Sequence, residues 1–134
     1  MPSVVIKPHP DRDEYVVWST ITERPYAGGN RAEILELLHD GIRRDEGDRR
    51  NPDAAVERAD RWGSSALPEW GFGHWDDEMF IYQQAGLLHR KDLWRATVLE
   101  CEERDREVLD LLDPFGDDEG GEHLARCKAM AEAA

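Results

Sequence analysis

Lysine is almost missing from this chain. Lys7, Lys91 and Lys128 are the only three, and arginine supplies the rest of the 17 basic residues. They face 30 Asp and Glu in 134 residues, a formal net charge of -13. Such a surface repels phosphate backbones and anionic membranes over about 8 Å at physiological salt, which disfavours direct nucleic-acid binding and membrane binding. Cysteine is scarce as well. Cys101 and Cys127 stand alone, without a Cys-x-x-Cys pair, so neither a disulfide framework nor a thiolate zinc site is expected. Glu100, Glu102, Glu103 and Asp105 surround Cys101 in sequence and disfavour a reactive thiolate there. Long apolar runs are absent too. The start carries only Val4, Val5 and Ile6 before Lys7, too little for a secretory leader, and nothing approaches the ~18 apolar residues of a membrane span. Together these absences describe a cytoplasmic protein with two reduced, structural cysteines.

What is present suits one domain. A chain of this length buries about two-thirds of its unfolded surface, and 40% hydrophobic residues suffice for a modest core. The local patterns predict an α+β fold: a small two- to three-stranded antiparallel sheet packed against several helices, with a long acidic helix toward the C-terminus. Residues 1–115 form the compact domain. Residues 116–134 form an acidic linker and a short C-terminal helix packed on it.

Val4 to Lys7 reads as a short strand, and Tyr15 to Thr22 as the best strand of the chain, rich in β-branched and aromatic residues. Neither face of the second strand is polar, so it is expected to be covered on both sides. A hairpin across residues 8–14 joins the two. Pro25 to Gly29 reads as a break. Asn30 then caps a helix, with Glu33 completing an Asn variant of the capping box. Ile34, Leu35, Leu37 and Leu38 form its apolar stripe, and Gly41 its stop. Residues 43–50 read as a mixed-charge loop. Asn51 and Pro52 open a second helix, which carries Ala55, Val56, Ala59 and Trp62 and closes at Gly63. Met79 to Tyr82 reads as a third strand that turns at Ala85 and Gly86. A single helix is expected from about Arg90 to Leu112, its stripe running through Trp94, Val98, Cys101, Asp105, Val108 and Leu112. Its length of ~33 Å would exceed the sheet beneath it and leave part for another chain. Residues 99–134 hold 12 acidic and four basic side chains, so the charge asymmetry lies at the C-terminal end.

Trp70-Gly71-Phe72-Gly73-His74-Trp75-Asp76-Asp77 is the first candidate for a site. Its glycines let the backbone turn, its aromatics each carry ~150–250 Å² of burial potential, and Asp76 or Asp77 is expected to orient the His74 imidazole. The five histidines are scattered; Glu33, Glu36 and His39 share a helix face but lack the companions of a dinuclear carboxylate site. No Gly-x-Ser-x-Gly elbow and no nucleotide-binding glycine motif is present. No catalytic residue, metal ligand or cofactor is therefore assigned, and no motif carries residue roles over from a known family.

The resulting expectation is a small acidic interaction module that binds another protein, a basic one by charge, or associates with itself as a homodimer. Its contact residues are Trp70, Phe72, His74 and Trp75 of the aromatic loop, and Trp94, Glu100, Glu103 and Glu107 of the long helix. Two alternatives stay open. The carboxylate row Glu100, Glu103, Glu107 suits a DNA mimic that inhibits a basic nucleic-acid-binding protein, of counter-defence or regulatory type. The Trp70–Asp77 loop suits a small-molecule binder or enzyme.

Overall fold

Tyr15–Ser19 explains the architecture, because both faces of this strand are apolar and both need cover. In the computed structural model, which describes residues 3–44 and 51–133, this strand is β2, the centre of a three-stranded antiparallel sheet. β1 (Ser3–Ile6) flanks it on one side and β3 (Arg24–Gly29) on the other. Val4, Ile6, Val16 and Trp18 face one core, and Val5, Tyr15 and Val17 face a second. Each fully buried aliphatic or aromatic side chain here contributes ~1.5–3 kcal/mol.

Two helices cover the second core. α1 (Arg31–Arg44) supplies Ile34, and α2 (Pro52–Trp62) supplies Val56 and Ala59. The start of α1 is the reciprocal capping box: the Glu33 amide donates to Asn30 Oδ1 at 2.9 Å and the Asn30 amide donates to Glu33 Oε1 at 3.0 Å. The helix runs through Gly41 to Arg44 rather than stopping at Gly41, and Leu37 of its expected stripe is exposed. α2 begins and ends as read, with Asn51 accepting from the Asp53 and Ala54 amides and Gly63 in the left-handed region at φ 91°. Residues 45–50 of the expected mixed-charge loop lie outside the described residues.

The other face of the sheet carries the larger core. A hairpin of β4 (Met79–Tyr82) and β5 (Gly86–His89) covers it together with α3 (Leu93–Cys101), the short α4 (Asp105–Val108) and a 3-10 turn at Leu109–Leu111. The rings of Trp18 and Phe80 meet at 5.6 Å. The last helix, α5 (Glu122–Ala133), reaches this core through Leu124, its one fully buried residue. The whole is a small 3+2-stranded antiparallel arrangement packed against helices, as the patterns predicted.

Two segments differ from expectation. Pro25–Gly29 is not a break but part of β3. Pro25, without an N–H, is tolerated because β3 is an edge, and the register slips by one residue beside it. Gly28 is glycine because α3 crosses closely: a Cβ there would lie 2.8 Å from Thr97 Cγ2 and 3.2 Å from the Trp94 ring. The second difference is the single helix over Arg90–Leu112. It ends at Cys101 in a complete Schellman motif. Glu103 takes the left-handed conformation at φ 59°, its amide donates to the Glu100 carbonyl at 3.1 Å, and the Arg104 amide donates to the Leu99 carbonyl at 2.8 Å. The break turns the chain so that Val108, Leu109 and Leu112 enter the core. The rod expected to project toward another chain is therefore absent.

The face of α3 is also rotated from the one expected. Leu93, Ala96, Thr97 and Leu99 are buried, whereas Val98 and Cys101 are exposed. Among the described residues, no helix is long and apolar enough to cross a membrane.

Candidate interaction surface

The 70–77 loop is assembled from short turns. The Trp70 and Gly71 amides donate to the Leu67 carbonyl, and the Asp77 amide donates to the His74 carbonyl at 2.9 Å. Gly71 and Gly73 have φ of 71° and 78°, a region that costs any residue with a Cβ. A Cβ at Gly73 would also press on Ser64 at 3.0 Å.

Arg90 anchors this loop to the body. It lies just after β5, and its guanidinium reaches five carbonyls. Nη1 donates to Gly73, His74 and Asp77; Nη2 donates to Lys7 at 2.7 Å and Gly63 at 2.9 Å. One side chain thus ties the end of β1, the end of α2 and the aromatic loop together. The Trp75 and Phe80 rings lie 4.9 and 5.9 Å from it. Burial pushes its pKa down to about 10, with the Asp77 carboxylate pulling the other way, so the group is charged at neutral pH. Sequence reading assigned Arg90 no role. A lone arginine in an arginine-rich chain gives no local signal, and its five acceptors come from three separate stretches.

The loop aromatics divide into anchors and one exposed ring. His74 donates from Nε2 to the Ala66 carbonyl at 3.0 Å and stacks on Trp62. The Asp77 carboxylate accepts the Gly73 amide at 2.7 Å, so it closes the loop rather than orienting His74. Trp75 donates from Nε1 to the Arg61 carbonyl at 3.1 Å, and its amide donates to the Trp62 carbonyl. Phe72 packs edge-on against Phe80, with ring centres 5.8 Å apart. Trp70 stacks on Phe72, also at 5.8 Å, and is 59% exposed. Nearby in sequence, Leu67 is exposed, as are Met79 at 47% and Ile81 at 44%, the outward residues of β4.

The helix residues do not join this loop. Trp94 is half-buried against its own core, its ring over Gly28. Glu100 has a side chain only 3% exposed, because its carboxylate pairs with Arg24 and accepts the Tyr82 hydroxyl. Burial and that hydrogen bond push the Tyr82 pKa well above the usual phenol range. Glu103 is exposed at the helix end, and Glu107 is held by Arg104. Glu100, Glu103 and Glu107 therefore form no row: one is internal, one sits in the turn, and one belongs to the next helix.

Two open depressions, about 570 and 440 Å³, lie away from the loop. The larger is bordered by Gln84, Phe115, Asp118, His123 and Arg126. Cys127 Sγ lies 3.8 Å from His123 Nε2, but that nitrogen is 2.7 Å from the Gln84 carbonyl and donates to it. His123 cannot then accept the thiol proton at the same atom. Compared with known proteins, the chain matches no family model, no curated protein and no solved structure.

Proposed function

We propose that this chain is a non-catalytic interaction module that binds another protein through Trp70 and the outward side of β4. One observation carries the reading. Trp70 is largely exposed yet held in place, through Phe72, by a ring already in the core, Phe80. An exposed aromatic fixed before binding loses little side-chain entropy when a partner covers it, and tryptophan dominates the energetics of many interfaces. Arg90 supports the same reading, because it makes the loop beneath Trp70 rigid. The net charge of -13 supports a basic partner, whose approach it accelerates.

The test compares two tryptophans. Trp70→Ala keeps its unfolding free energy within about 1 kcal/mol, since the ring is mostly in water. It weakens binding to the captured and purified partner at least tenfold. Trp75→Ala instead loses about 3 kcal/mol or more of stability, as truncation of a packed ring does. Equal partner binding by the wild type and Trp70→Ala would refute the reading.

A further inference from the structure

We infer that the free edge of β4 takes up an extended basic segment of the partner as an added strand, a deepening that rests on the interaction-module reading. In the β4–β5 hairpin, the Arg90 amide donates to the Glu78 carbonyl at 2.7 Å. With Phe80 opposite Leu88 and Tyr82 opposite Gly86, antiparallel alternation makes 78, 80 and 82 the residues bonded to β5. The opposite edge of β5 follows the same rule: Leu87 exchanges both its hydrogen bonds with Asp113, at 2.8 and 2.9 Å. The N–H and C=O groups of Met79 and Ile81 therefore point away from β5. Among the described residues, nothing bonds to them.

Edges of this kind are usually blunted by proline, lysine or a bulge. β4 carries none of these; it reads Met-Phe-Ile-Tyr, in regular register, with Met79 and Ile81 exposed. An incoming strand gains backbone hydrogen bonds from these two residues and side-chain contacts with the two exposed apolar groups.

Charge decides between occupants. Asp76 and Glu78 are exposed at one end of β4. At the other end, the Gln83 amide donates to the Glu23 carbonyl and Gln84 donates to the Glu23 carboxylate. A second copy paired antiparallel about Phe80 would set Asp76 of one chain opposite Gln84 of the other, beside Glu23. Acid would meet acid at both ends. A segment with apolar residues at its centre and Lys or Arg at its flanks meets the opposite charge instead.

The experiment selects a displayed library of random twelve-residue peptides on the intact folded chain and follows residue-resolved amide exchange by NMR. In the free protein, the Met79 and Ile81 amides exchange rapidly while those of Phe80 and Tyr82 are protected. Enriched peptides carry apolar residues flanked by Lys or Arg, slow exchange at Met79 and Ile81 at least tenfold, and bind more weakly as salt rises. Ile81→Pro, which deletes one edge N–H, reduces binding at least tenfold; should that variant fail to fold, protection at the two wild-type amides decides. Failure to enrich any peptide, or enriched peptides that leave both amides unprotected, overturns the proposal. In the latter case, sensitivity to Trp70→Ala would preserve the interaction module while removing the edge from it. Slow exchange at Met79 and Ile81 in the free protein, with a dimer by sedimentation, would give the edge to a second copy and also overturn the proposal.

Discussion

The Arg90 guanidinium lies 4.9 Å from the centre of the Trp75 ring, and the two side chains together close the aromatic loop. Trp75 fastens it to the end of α2, while Arg90 fastens it to the carbonyls of the loop itself and of β1. The ring also shields the cation from water, which strengthens each of its hydrogen bonds.

Replacing Arg90 with methionine keeps an unbranched chain of similar length but takes the guanidinium from five carbonyls, of which Gly63 keeps only the Lys7 amide and His74 only the Asp77 amide. Gly63 and Asp77 are stripped of their guanidinium contacts together with Lys7, Gly73 and His74. A loss of at least about 3 kcal/mol is expected in urea unfolding, at the upper end for single substitutions. Arg90→Lys recovers only part of it, because an ammonium has three donors and no planar fork.

Glu100 and Glu103 are three residues apart and differ in kind. Glu100→Gln leaves Arg24 without its buried countercharge and should cost about 3 kcal/mol by urea unfolding, whereas Glu103→Gln, at an exposed turn, should stay within about 0.5 kcal/mol. A double-mutant cycle of Glu100→Gln with Tyr82→Phe gives a clear coupling energy, since both groups share one hydrogen bond.

The sign of one glycine substitution reports where α3 ends. Inside a continuous helix, Glu103→Gly would destabilise by about 1 kcal/mol. At a left-handed helix end with φ 59°, glycine relieves strain, and the urea midpoint should hold or rise, by up to about 1 kcal/mol.

Asp118 governs the attachment of α5. Its carboxylate accepts the His123 amide at 2.9 Å and the Leu124 amide at 3.1 Å. The His123 amide is the chief cause that holds its pKa below the usual 3.8, and desolvation opposes it. A carboxyl whose pKa falls on folding contributes stability above its unfolded value and loses it as pH falls through the folded one. On acidification below 3.8, amide protection in α5 should therefore decline before that in β2. Asp118→Ala should show the loosened α5 already at neutral pH. Equal protection in both proteins across this range would rule the cap out.

Short-range physics was legible in the residues. The Asn30–Glu33 box, the Asn51-Pro52 start and the Gly63 stop each lie within a few positions of one another, and each forms as read. β2 announced its central place because Val16 and Val17, on opposite faces, are both apolar. The composition of the 70–77 loop marks it as unusual, but its residues do not reveal which ring faces water. Phe72 and Trp75 have the same apolar character as Trp70, and only the positions of Phe80 and Arg61 separate them.

The acidic C-terminal third shows why helix periodicity misled. Val98 and Cys101 look like the buried side of α3, and Glu100 looks like its wet side. Arg24, 76 positions away, and Tyr82 reverse that assignment by supplying a cation and a hydroxyl inside the fold.

The residues by themselves determined the charge, the central strand and the helix caps, because these depend on composition and on neighbours a few positions apart. Tertiary structure alone decided that Pro25–Gly29 pairs as a strand, that the helix stops at Cys101 and that Arg90 binds five carbonyls. The acceptors of Arg90 are remote in sequence. The bonds that pair β3 and close α3 are nearer, but the free energy that selects all three conformations includes contacts that exist only once the chain has closed on itself, such as Thr97 against Gly28 and Val108, Leu109 and Leu112 in the core.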